Sequence, residues 1–160
     1  MPTPKSLNPK FSVLLYILLD TFCVGLGMGV PFFPILLGFP VGWYVTTCAL
    51  SRRKTDTFDT SFSFNIYLRQ IFKWSLFSSG LTFLEMLIIW LPSARMLFDH
   101  SADFANFGHP FILYDPKASF IAWLALMIFI SPFLQLLTTI FSSFITLLII
   151  GKTYGAKRAE

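Results

Sequence analysis

Residues 14–54 read LLYILLDTFCVGLGMGVPFFPILLGFPVGWYVTTCALSRRK. From Phe11 to Leu50 the one charged residue is Asp20. A helix rises about 1.5 Å per residue, so a bilayer core takes roughly 20 apolar residues. This run is about twice that length and can cross twice. Gly25, Gly27 and Gly29 loosen the backbone in its middle, and Pro31 and Pro34 each remove an amide donor. An open loop inside lipid would leave polar backbone groups unpaired, so the break belongs near the membrane surface. The pattern predicts a first helix over about 11–28 and a second over about 34–50. Pro34 suits a helix first turn, and Pro40 is expected to kink the second helix.

Composition agrees. The chain has 160 residues, of which 55% are hydrophobic and 12% charged, and its mean hydropathy is +0.69. That is the balance of a membrane protein, and one compact bundle is the expected domain. The net charge of +4 is carried by basic residues at the predicted helix edges. It points to anionic lipid headgroups and not to nucleic acid, because no basic patch is interleaved with a nucleic-acid motif. Lys5 and Lys10 precede an apolar run, as in a signal peptide. Asp20 interrupts that run and the hydrophobic stretch then continues, so the first helix is expected to stay in the mature protein. Cys23 and Cys48 lie at different predicted depths, so no mutual disulfide is expected.

Downstream, residues 55–67 form a Thr-, Ser- and Phe-rich connector. An interfacial segment is expected to turn helical near Asn65, with Arg69 and Lys73 at the headgroups while Ile66, Ile71 and Phe72 dip into the acyl boundary. Trp74 and Trp90 flank a third span over about 74–91, in the positions of an aromatic belt. Residues 93–117 form the longest polar loop. Its many aromatic residues predict that it folds back on the bundle, with a short surface helix within 94–107. A fourth span covers about 118–150, divided by Pro132, and Gly151 and Lys152 are expected to end it.

Four spans place both termini on one side. That side holds Lys5, Lys10, Arg52, Arg53, Lys54, Arg69, Lys73, Lys152, Lys157 and Arg158, while the other holds Arg95 and Lys117. Ten basic residues against two is a positive-inside signal, so the termini are expected in the cytoplasm of a multi-pass cell-membrane protein. The expected fold is therefore an all-α, four-transmembrane-helix bundle. Arg52, Arg53, Lys54, Arg69 and Lys73 are its lipid-headgroup residues.

Each long helix carries a polar face. Ser12, Tyr16, Asp20 and Cys23 share one on the first helix, and Ser75, Ser78, Thr82 and Glu85 one on the third. Ser131, Gln135, Thr138, Ser142 and Thr146 share one on the fourth. Gly38 and Gly42 offer close approach on the second. Asp20 and Glu85 are expected near one depth, with no basic residue inside any span. An acid at mid-membrane costs about 3 kcal/mol on insertion scales. Two acids there cannot both ionise cheaply, so a shared proton or a bound cation is expected if they meet.

Two functions follow. The preferred one is a non-catalytic subunit or scaffold that binds partner helices, or copies of itself, through its small and polar faces. The alternative is a small proton- or cation-coupled secondary transporter using Asp20 and Glu85, with Thr82, Ser131 and Gln135 as further proton, cation or interface candidates. No enzyme is expected, since the nucleophile and metalloprotease motifs are absent, and no cofactor is implied. Asp99, His100, Asp103 and His109 are ligand types for Zn²⁺, but their spacing matches no metal motif, and a solvated loop is the preferred reading.

Overall fold

The structure, a computed structural model, describes residues 9–26, 32–53 and 64–159. Among these it is all-helical, with no strand. Helix α1 spans Pro9–Leu26, α2 Phe32–Arg53 and α3 Phe64–Ala94. Helix α4 spans Pro116–Ala125 and runs through a π turn, Leu126–Ile130, into α5, Ser131–Ala159. Residues 27–31, with Gly27, Gly29 and Pro31, lie outside the described residues, as do Lys54 and the connector residues 55–63.

The hydrogen bonds fix the directions. Ser12 pairs with Tyr44, far down α2, so α1 and α2 are antiparallel. Tyr16 bonds Ser78 and Asp20 bonds Thr82, so α1 and α3 run parallel. Trp90 meets Trp123 and Phe83 meets Phe129, so α3 opposes α4 and α5. Ile35 accepts from Thr138 and Phe39 from Ser142, so α2 and α5 run parallel. The order is up, down, up, down, and the start of α1 lies at the same end as the late turns of α5.

Helices α2 and α5 make the tightest pair. Gly38 and Gly42 are buried against α5, and a Cβ built on Gly38 would meet the Gln135 carbonyl at 2.8 Å. Because the backbones approach so closely, α5 hydroxyls reach α2 carbonyls. Thr138 donates to Ile35 O at 2.8 Å, Ser142 to Phe39 O at 2.7 Å and Ser143 to Gly42 O at 3.1 Å. Small residues at helical spacing thus act as the sequence predicts.

Helix bounds differ from the sequence reading in three places. Helix α3 starts ten residues before Trp74, because no Gly or Pro interrupts residues 64–79. Its early turns belong to the bundle: Ile71 is buried, not surface-dipping, while Arg69 and Lys73 are exposed. Pro92 falls within α3, and a 3₁₀ turn at Arg95–Phe98 follows. Helix α5 continues past Gly151 and Lys152. Pro132 does not break the rod. It cannot donate to Ile128 O, and the preceding π turn absorbs that loss, with Ser131 N–H bonding Leu126 O.

Loop 99–115 folds back as expected. Ser119 receives the amides of Ile112 and Leu113 at 2.7 and 2.6 Å. Asp115 caps α4 by accepting from Ala118 N at 2.8 Å. Phe104 and Phe107 pack on buried Phe120, beside the cluster of Val24, Met86, Trp123 and Met127.

Burial is inverted elsewhere. Among the described residues, buried polar side chains outnumber buried hydrophobic ones, while Leu18, Phe22, Phe32, Ile88 and Leu148 are exposed. Tyr67–Phe98 and Pro116–Ile150 are each long and apolar enough to cross a membrane, and Phe32–Cys48 is a shorter apolar helix.

Candidate functional site

Asp20 is fully buried at the centre of the polar interior. Helical spacing puts Tyr16 one turn before it on α1, and Ser78 one turn before Thr82 on α3. Thr82 Oγ1 donates to Asp20 Oδ2 at 2.6 Å. The Ser78 carbonyl lies 3.2 Å from the same hydroxyl, whose single proton favours the shorter contact. Gln135 Nε2 donates to Tyr16 Oη at 3.1 Å and faces Asp20 Oδ1 at 3.5 Å. Tyr16 O–H in turn donates to Ser78 O at 3.0 Å. Three helices thus supply one closed cluster.

Its partners share a property. A hydroxyl donates or accepts, and an amide does either when turned over. Gln135 Oε1 is buried with no partner. Turned over, the amide would present that oxygen to Asp20. The cluster can therefore accommodate a carboxylate, which needs donors, or a carboxylic acid, which needs an acceptor. No basic side chain among the described residues hydrogen-bonds or pairs with Asp20.

Glu85 sits apart. It is half-exposed, not interior, and no hydrogen bond joins it to Asp20, so the two acids share no proton here. Instead Thr21 Oγ1 donates to Glu85 Oε1 at 3.0 Å on the exposed flank, and Glu85 Oε2 is buried without a partner. Ser131 is buried one turn before Gln135. Arg52 and Arg53 close α2.

The residues of loop 99–115 do different work. His109 is buried among rings, 5.4 Å from Phe120 and 5.6 Å from Phe111 between centroids, and its Nε2 lies 3.2 Å from Pro116 O. His100 is exposed. Among the described residues no three His, Cys, Asp or Glu side chains come together as metal ligands. Asp99 accepts from the Ser101 hydroxyl at 2.7 Å and its amide at 2.9 Å, which holds the Asp99 carboxyl below its ordinary value. The Asn106 side chain, at 2.6 Å, does the same for Asp103. A depressed carboxyl stabilises its turn above the ordinary value of about 3.9, and that contribution is lost as pH falls through the folded value. In an NMR titration the Ser101 amide resonance should hold steady down to about pH 4 and move only below it. A midpoint above that pH would contradict the turn.

Sequence reasoning did not single out Tyr16, Ser78 or Thr21. The first two were visible on the polar faces, one turn from Asp20 and Thr82. A cleft of about 350 Å³ between α1, α2 and α3, with Tyr16 and Ser78 in its wall, was not visible at all. Compared with known protein families, curated proteins and solved structures, the chain matches none.

Proposed function

We propose that the chain is a multi-pass cell-membrane protein with four spans and cytoplasmic termini, and that Asp20 is the proton-binding group of a small proton-coupled transporter. The inverted burial supports the first part. Leu, Ile and Phe cover the outside while Ser, Thr, Gln and Asp fill the inside, which suits lipid as the surrounding solvent. Charge supports the orientation: Lys10, Arg69 and Lys73 lie at one end of the bundle, and Arg95 and Lys117 at the other.

The observation that carries the transport reading is the set of reversible partners around Asp20, namely Thr82, Gln135 and Tyr16. A purely structural acid needs one fixed protonation state, whereas this cluster serves both. It also weakens the scaffold reading in its original form, because the small and polar faces are engaged within the chain. A second reading stands on Glu85 instead. A half-exposed carboxyl on an otherwise apolar flank is a contact that a partner helix, or a second copy, would cover.

Reconstitution with an imposed pH gradient separates the two. The transporter moves protons into proteoliposomes above the protein-free background. A subunit moves none, co-purifies with a stoichiometric partner, and loses that partner in Glu85→Gln.

A further inference from the structure

Asp20 divides the interior of the bundle into two unlike halves. One turn beyond it on α1 stands Val24, and one turn beyond Thr82 on α3 stands Met86. These two pack with Phe120, Trp123 and Met127 into a buried apolar cluster. The buried polar residues of that half, Ser119 and His109, are engaged by loop 99–115 and the start of α4. Toward the end where α1 starts, the buried side chains among the described residues are mostly polar: Ser75, Ser78, Thr139, Ser143 and Thr146. Tyr67 and Ile71 are the buried hydrophobic residues there. Ser75 Oγ is buried in the same half without a hydrogen-bond partner.

The cleft of about 350 Å³ between α1, α2 and α3 also lies in this half, and Ser12, Tyr44 and Gln70 line it toward the start of α1. Tyr16 and Ser78 belong both to its wall and to the Asp20 cluster. Two hydroxyls span the remaining gap. Thr82 Oγ1 lies 2.6 Å from Asp20 Oδ2 and 3.5 Å from Tyr16 Oη. A hydroxyl can give one proton while taking another, whereas the carbon side chains beyond Asp20 can do neither.

We propose that in this conformation Asp20 exchanges its proton only with the end of the bundle where α1 starts, with Tyr16 Oη linking the cleft to Thr82 and the apolar cluster sealing the other end. The inference rests on the reading of Asp20 as the proton-binding group and adds its route. Tyr16 turns its O–H from the Ser78 carbonyl to Thr82. A hydronium in the cleft gives a proton to Tyr16 Oη, Tyr16 gives its own to Thr82 Oγ1, and Thr82 gives its own to Asp20 Oδ2. Both hydroxyls end as they began. One proton has passed to the carboxylate, and a water remains in the cleft. The new Thr82 proton then has the Ser78 carbonyl as acceptor, 3.2 Å away.

Access is measured first, because it needs no transport. Single cysteines replace Ser78, in the cleft wall, Val24, in the seal, and Ala156, near the end of α5, in a full chain carrying Cys23→Ala and Cys48→Ala. A small hydrophilic methanethiosulfonate is applied to intact cells and to inside-out vesicles. Ser78→Cys should react only from the face at which Ala156→Cys reacts, and Val24→Cys from neither. Reaction of Val24→Cys from either face, or of Ser78→Cys from the face opposite Ala156→Cys or from neither, would overturn the proposal. Tyr16→Phe keeps the ring and loses the hydroxyl. It should lower proton flux in proteoliposomes about a hundredfold while Ser78→Cys labels as before, which shows that the cleft keeps its shape. Parental flux in Tyr16→Phe would remove the link. A parent that moves no protons would instead sink the reading of Asp20, and the labelling pattern would still decide which end reaches it.

Discussion

Asp20→Asn is expected to reduce proton flux in proteoliposomes to the protein-free background while the protein remains folded and abundant. The substitution is nearly isosteric. An asparagine oxygen still accepts from Thr82, which sits 2.6 Å from Asp20 Oδ2. Thr82 is not stranded in any case, since the Ser78 carbonyl is 3.2 Å away, and Gln135 keeps Tyr16 as an acceptor at 3.1 Å. The hydrogen-bond loss is therefore about 1 kcal/mol, too little to unfold a bundle. What disappears is the group that takes and releases the proton. Glu85→Gln gives the contrast. Its amide keeps the Thr21 contact, and because Glu85 lies on the flank, flux should persist. Equal loss in both variants would mean that the two acids act as one unit, contrary to the separation described above. Unchanged flux in Asp20→Asn would remove the transport reading.

Gly42→Leu is expected to prevent α2 from seating on α5. A Cβ at residue 42 would meet the Thr139 carbonyl, and would lie 2.9 Å from Ser142 Cβ and 3.0 Å from Ser143 N. Neither backbone can give way without lengthening the hydroxyl contacts to Ile35, Phe39 and Gly42. Overpacking alone costs about 1–3 kcal/mol, and each hydroxyl lost about 0.6 kcal/mol in a membrane setting. Together they approach about 4 kcal/mol, a large share of the stability of a small domain. Gly80 supplies the opposite sign. Nothing lies within 4 Å of a Cβ built there, so Gly80→Ala should stabilise α3 by about 0.5–1 kcal/mol. Unfolding by denaturing detergent, followed by helical circular dichroism, reads both. A Gly42→Leu protein as stable as the parent would contradict the packing.

Much of this architecture was legible because it depends on local periodicity. Ser75, Ser78 and Thr82 repeat at helical spacing, as do Gln135, Ser142 and Thr146, and all six are buried. Gly38 and Gly42 were readable as a contact for the same reason. Where the reading failed, the deciding information was not local. Ile71 looks like a surface anchor from its basic neighbours, yet it is buried, because an unbroken helix from Phe64 carries it into the bundle. Glu85 continues the polar stripe of α3 by spacing, but it meets α1 at exposed Thr21 and not on the buried Asp20 side, so it falls on the flank. The cleft beside Tyr16 is a property of three helices at once, and no single helix records it. His109 resembles a loop ligand in the sequence. Its place is a ring-lined socket formed by residues before and after it, including Phe107 and Phe120.

The four-span membrane bundle is tested most directly by side-specific labelling in intact cells. In a Cys23→Ala, Cys48→Ala background, single cysteines replace Phe98, which is 86% exposed in the 3₁₀ turn after α3, and Ala156, near the end of α5. An impermeant thiol reagent should label Phe98→Cys at once, and Ala156→Cys only after the membrane is opened. Labelling of both positions from the same side, or of Ala156→Cys alone in intact cells, would contradict the account.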